Sequence, residues 1–139
     1  MGPASTDSLA PEAMERPPSA HREVATVFSS VSYVAMNTAL DGLALRQRVI
    51  ADNVANIQTP GFLAGRVSFE ESLAAAVRNG SGVAQTGITR SMAAPREDGN
   101  NVNLEQETLL NIQTQLRYQL ATQAVNGTFS KLRAAFRSA

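Results

Sequence analysis

Apolar positions recur along two long stretches near the ends of this 139-residue chain, with a punctuated middle between them. From Ser29 or Ser30, either a suitable N-cap, the pattern turns helical. Met36, Leu40, Leu43, Gln47, Ile50, Val54 and Ile57 follow in alternating steps of four and three. That is a heptad seam with one polar interruption, Gln47, and it fits a coiled-coil strand that needs a partner helix. A second helical stretch starts near Asn103, a candidate cap with Gln106 three residues on. Leu109, Ile112, Leu116, Leu120 and Ala124 form one stripe there, and Val125, Phe129, Leu132 and Phe136 form another, shifted around the helix. The drift predicts contacts on more than one side. Gly127 lies inside this pattern, as a mark of close helix approach or a kink.

The first helix ends at Asn53-Val-Ala-Asn-Ile-Gln-Thr-Pro-Gly-Phe62. Pro60 cannot continue a helix and pushes Thr59 toward an extended conformation. Gly61 can then take the positive φ that a type II turn needs after proline. Asn53 and Asn56 carry amides suited to backbone groups left unpaired at a helix end. The bland reading of the stretch is a helix exit and nothing more.

Between the helices, Leu63 to Phe69 reads as extended. Ser68 is a candidate cap for a short helix, with Glu71 as capping-box partner and Phe69, Leu73 and Val77 as its apolar face. Residues 79–103 are loop-rich, with room for one or two short strands between Val83 and Met92. The expected fold class is mainly α. Two long terminal helices pair as an elongated antiparallel, coiled-coil-like hairpin, and the loop-rich middle insert can hold short β-strands. In segments, residues 1–28 are a disordered tail, or an N-terminus that is mis-called or introduced by cloning, with the native start near Val27. Residues 29–61 are the first helix and its turn, 62–102 a flexible insert with a short helix, and 103–139 the second helix.

Composition narrows the function. Twelve basic and twelve acidic residues cancel, and the basic ones, all Arg except Lys131, are scattered. A nucleic-acid binder would show a basic stripe. Without cysteine there is no disulfide or thiolate chemistry. His21, the lone histidine, has no companion ligand for a metal. Glu70 and Glu71 are adjacent, but neighbouring helix positions diverge and acidic residues suit a first turn. Glu97-Asp98-Gly99-Asn100-Asn101 is a turn that lacks the ligand spacing of a calcium loop. No catalytic residues, cofactor or metal are expected, and no apolar run is long enough for a signal-peptide core or a membrane span. Much of the apolar content is Ala, so the helix faces need partner subunits to be well covered.

Ala39 to Phe62 resembles the N-terminal signature of bacterial flagellar rod and hook proteins. That motif runs Asn, an aliphatic residue, Ala, Asn, two variable residues, Thr-Pro-Gly and an aromatic; Asn53, Ala55, Asn56, Thr59, Pro60, Gly61 and Phe62 match it. Phe69 and Leu73 resemble the Phe-x-x-x-Leu that follows. Gly99-Asn-Asn-Val-Asn-Leu-Glu-Gln-Glu107 is similar to the Gly-Asn-x-Val-Asp-Leu-x-x-Glu of the short rod proteins, with Asn103 where Asp is usual. Leu116 to Gln119 and Phe129 to Arg133 look like the closing helix of one proximal-rod branch, where the sister branch tends to Ala-Tyr-Glu-Ala-Asn. The resemblance implies a structural subunit of the flagellar basal body, exported by the flagellar type III apparatus without a cleaved signal and polymerised into the periplasmic rod that transmits torque. It implies contacts with itself, other rod proteins, a rod-base adaptor and the export-gate ring, and none with nucleic acid or directly with the membrane. The alternatives are a sister or other axial protein, or a cytosolic helical export adaptor or chaperone.

Overall fold

The computed structural model describes residues 30–137. Helix α1 spans Val31–Ala55 and helix α3 spans Leu104–Arg137. Between them lie strand β1 (Gly65–Ser68), helix α2 (Glu70–Arg78) and strand β2 (Gly87–Arg90). The expectations for residues 1–28, the Ser29 cap and the start near Val27 fall outside the described residues.

Helix α1 begins as its sequence dictates: Ser30 is the N-cap, and its hydroxyl accepts from the Tyr33 amide at 3.3 Å. At 25 residues it is about 37 Å long. Helix α3 has 34 residues, and the Asn103 side chain accepts from the Gln106 amide at 3.1 Å. The long helices run antiparallel. Tyr33 meets Phe129 edge-to-face at 6.1 Å near one end, and Asn53 bonds Glu107 near the other. The anticipated helical hairpin is therefore present, with β1 and β2 pairing antiparallel, Gly65 opposite Arg90 and Ser68 opposite Gly87. Of the span from Val83 to Met92, only Gly87–Arg90 is a strand.

The core is small. Leu43, Val49, Val67 and Phe69 form it, with Ala39, Leu45, Leu73 and Ala121 packed around them. Strand β1 thus lies against α1, and Phe69 anchors the start of α2 beside it. Ser68 does not cap α2, because it is paired in β1; Phe69 is the N-cap residue, and its amide donates to the Glu70 carboxylate at 3.2 Å. Leu73 is half-buried and Val77 exposed, while Ala76 carries the buried face of α2.

The pairing face of each long helix is more polar than its pattern of aliphatic residues suggests. On α1 the buried positions are Gly42, Leu43, Arg46, Val49, Ile50 and Asn53. The seam therefore holds at Leu43 and Ile50 but moves by one residue to Arg46 and Asn53, leaving Gln47 half-buried and Val54 exposed. Met36, Leu40 and Ile57 are half-buried. On α3, Glu107 and Thr114 are fully buried and Leu110, Ala121 and Val125 half-buried, whereas Leu109, Ile112, Leu116 and Leu120 lie on the outside.

Candidate assembly junction

The Asn53–Phe62 stretch and the Gly99–Glu107 stretch, separated in sequence by residues 63–98, close on each other as one hydrogen-bonded unit. Helix α1 stops at Ala55, four residues before Thr59, and Asn56 is its C-cap. The Asn56 side chain donates to the Asp52 carbonyl at 2.9 Å and accepts from the Thr59 hydroxyl at 3.2 Å. The Phe62 amide returns to the Thr59 carbonyl at 3.2 Å, and Gly61 has φ 72°, as a Pro-Gly turn requires.

Asn100 fastens the second stretch to this turn. Its side chain, fully buried, donates to the carbonyls of Asn56 (2.9 Å) and Thr59 (2.8 Å) and accepts from the Val102 amide (2.7 Å). The Gly61 amide donates to Asp98 O at 2.8 Å, and Asn101 N to Phe62 O at 3.2 Å. Arg96 donates to Ile57 O at 2.6 Å. Asn101 accepts from the Ala64 amide at 2.7 Å and donates to the carbonyls of Ser91 and Ala93. A Cβ on Gly99 would lie 3.2 Å from the Gly61 Cα, and Gly99 has φ 80°, so the two loops approach at a backbone-to-backbone contact that a side chain would disturb. The acidic-amide turn at 97–101 is thus occupied with backbone groups of its partner loop.

Asn53 behaves differently from the helix-end role its sequence suggests. It sits within α1, fully buried, and its amide reaches across to β1. Its Oδ1 accepts from the Gly65 amide at 2.7 Å, and its Nδ2 donates to the Gly65 carbonyl at 3.0 Å and to Glu107 at 3.1 Å. The Glu107 carboxylate, also fully buried, pairs with Arg66 from β1. One side chain therefore joins α1, β1 and α3. Glu107 was legible only as part of the resemblance to the rod-protein motif; nothing in its spacing marked a buried carboxylate.

A second cluster lies two turns away. Arg46, almost fully buried, donates to the Val67 carbonyl from Nε (3.1 Å) and Nη2 (2.8 Å), stacks over Phe69 at 5.0 Å and meets Glu70 at 2.7 Å. Arg117 from α3 reaches the same carboxylate at 2.8 Å. The Arg46 hydrogen bond, chiefly, holds the Glu70 pKa down at about 2 against a partial desolvation that raises it. A carboxylate depressed in the folded state contributes stability above about pH 4.5, and that contribution is lost as pH falls toward 2. Glu70→Gln should therefore lower stability modestly at neutral pH and converge with the parent as pH falls toward 2, flattening the acid side of the profile; the loss stays small because Glu70 is half exposed and its pairs are screened. Urea titrations at several pH values would show it. Neither Glu70 nor the exposed Glu71 is arranged against a nucleophile or base; Glu70 is committed to two guanidinium groups.

The other positions expected to serve assembly divide by face. Leu109, Ile112, Leu116 and Leu120 are 55, 51, 57 and 64% exposed on the side of α3 away from α1. Val125 and Phe129 turn toward α1, Phe136 is exposed, and the Leu132 side chain is outside the described set. Among the described residues no group of three or more His, Cys, Asp or Glu could hold a metal, and no helix is long and apolar enough to cross a membrane.

A family model described as "Flagella basal body rod protein" matches residues 33–62, which take in α1 from Tyr33 onward and the Thr-Pro-Gly turn. The flagellar basal body rod protein FlgB of Borrelia hermsii is 34% identical over 60% of this chain and 78% of its own length. FlgB of Borreliella burgdorferi is 32% identical over the same shares, and FlgB of Bacillus subtilis is 30% identical over 70% of this chain and 87% of its own. With these relatives matched over most of their length, and with both motif stretches joined in one junction, the chain belongs to the FlgB family of flagellar basal-body rod proteins.

Proposed function

We propose that this structural rod subunit sits in the proximal segment of the flagellar rod, with α1 and α3 along the tube wall and the outward aliphatic stripe of α3 against neighbouring subunits. The observation that carries this reading is that stripe. Four large aliphatic side chains in a row, each more than half exposed, are more than a lone monomer needs on a solvent face. The opposite face of α3 is already satisfied by α1, so a further helix is required to cover the second one. Heterologous contacts repeated by rotation and rise build a tube and not a closed ring. The partners in this reading are other copies and other rod proteins, the rod-base adaptor and the export-gate ring. The subunit reaches the periplasmic space through the flagellar type III apparatus, without a cleaved signal.

The junction gives the assembly its geometry. Pro60 and Gly61 fix where the chain leaves α1, and Asn100 locks that exit to the start of α3. Pro60→Ala combined with Gly61→Val places a β-branched residue at φ 72°, a strongly disfavoured conformation. In a strain deleted for the gene, basal bodies should keep their membrane-embedded base and lose the rod, and the wild-type chain should restore swimming. The double variant should be exported yet restore little swimming. Intact rods in the deletion strain would overturn the rod reading, and normal swimming by the double variant would overturn the role of the turn.

A further inference from the structure

Helix α3 carries apolar residues on two opposite sides. At 3.6 residues per turn, Glu107, Leu110, Thr114, Ala121 and Val125 share the side toward α1. Leu109, Ile112, Leu116 and Leu120 occupy the other, followed toward the C-terminus by Gln123 and Gly127. This outer stripe is bulky and aliphatic in its first half and opens to a gap at Gly127 in its second. Its immediate flanks, Gln113 and Gln119, are uncharged, and its ends have opposite signs, Glu105 at one and Lys131 at the other. Gly127 has no atom within 4 Å of the place a Cβ would occupy. Within one chain it therefore costs about 1 kcal/mol against Ala with no packing to offset it.

We propose that this stripe closes on a second copy of the chain, as an antiparallel two-fold pair of α3 helices centred on Leu116. With Leu116 on the axis, Ile112 faces the partner's Leu120. Leu109 enters the hole between the partner's Leu120, Gln123, Ala124 and Gly127, where the missing side chain leaves room. Glu105 falls opposite the partner's Gly127, one helical turn from its Lys131. A parallel pair would set Glu105 against Glu105 and Lys131 against Lys131, and would align the two helix dipoles unfavourably. The aliphatic half of the stripe thus meets the gap at Gly127 only when the helices oppose each other, which is why the occupant is another copy. Such a contact uses the same patch on both chains and stops at two. It also hides the stripe that the rod contacts proposed above would use. That consequence rests on the rod reading, while the pair itself follows from the helix face alone.

The absence of native cysteine makes the test direct. The purified full chain should sediment at micromolar concentration as a dimer of 14.8 kDa subunits. Leu116→Cys should form a disulfide-linked dimer on mild oxidation, and Arg48→Cys, on the exposed side of α1, should not. Gly127→Leu should be monomeric with helical circular dichroism at or above that of the parent, because it fills the hole while improving the helix. Leu116→Glu should also be monomeric, and if it fails to fold, Gly127→Leu still decides. A monomeric parent, an open-ended series of oligomers, a dimer that does not cross-link through Leu116→Cys, or a dimeric Gly127→Leu would each overturn the pair. None of these measurements involves rods or swimming, so failure here is distinct from failure of the rod reading.

Discussion

Asn53→Ala should lower the unfolding free energy of the chain by about 3 kcal/mol, measured by urea denaturation at neutral pH. The side chain is fully buried and makes three hydrogen bonds. Truncation leaves the Gly65 amide unpaired inside the protein, leaves the Gly65 carbonyl with Arg66 as its remaining donor, and takes one donor from Glu107. Each stranded buried group costs on the order of 1–3 kcal/mol, and water entering the small space recovers part of it. Asn53→Asp is nearly isosteric but should be no milder. It replaces the donor with a carboxylate that faces both the Gly65 carbonyl and Glu107. An Asn53→Asp protein as stable as the parent would show that shape, and not hydrogen bonding, holds this junction. For a chain of this size a loss of about 3 kcal/mol is a large part of the total.

Arg46→Met should cost about 2–3 kcal/mol. Methionine keeps much of the apolar stem but strands the Val67 carbonyl, which accepts two bonds from this guanidinium. It also removes the cation over Phe69 and leaves Glu70 to Arg117. Arg46→Lys should recover less than half of the loss. A single ammonium cannot reach the Val67 carbonyl in the two-pronged fashion of Arg46 while also meeting Glu70. Full stability in the lysine variant would show that charge alone, not fork geometry, is what the site uses.

The contrast between these two residues and the aliphatic seams shows what could be read from the chain. The two helices, the Ser30 cap, the Asn103 cap and the positive φ of Gly61 follow from local rules, and all are present. The stripe at Leu109 to Leu120 was visible as a stripe, but periodicity does not say which of two opposite faces turns inward. Nothing in the local pattern marks Arg46 as buried, and Asn53 reads as a helix-end residue, because their binding partners, the carbonyls of Val67 and Gly65, are backbone groups with no signature in the sequence. Ser68 had the spacing of a capping box, yet strand pairing with Gly87 claimed it first. Asn100 and Asn101 read as a turn, and they do form one. That their amides would bind Asn56, Thr59 and Ala64 depends on contacts roughly forty residues apart, to which no local pattern is sensitive.

Those backbone bonds also decide what the hairpin can template. In an antiparallel pair alternate residues turn their amides outward, and Ser91 bonding to Ala64 puts Gly65 and Val67 in that position on β1. Asn53 covers both polar groups of Gly65, and Arg46 covers the carbonyl of Val67. Side chains therefore occupy both polar groups of Gly65 and the carbonyl of Val67 along the outer margin of β1, so a foreign strand cannot pair there without first displacing two buried residues. Where many copies are crowded side by side, that seal keeps neighbouring hairpins from merging into a continuous sheet through β1, the usual route from an unguarded strand edge to aggregation.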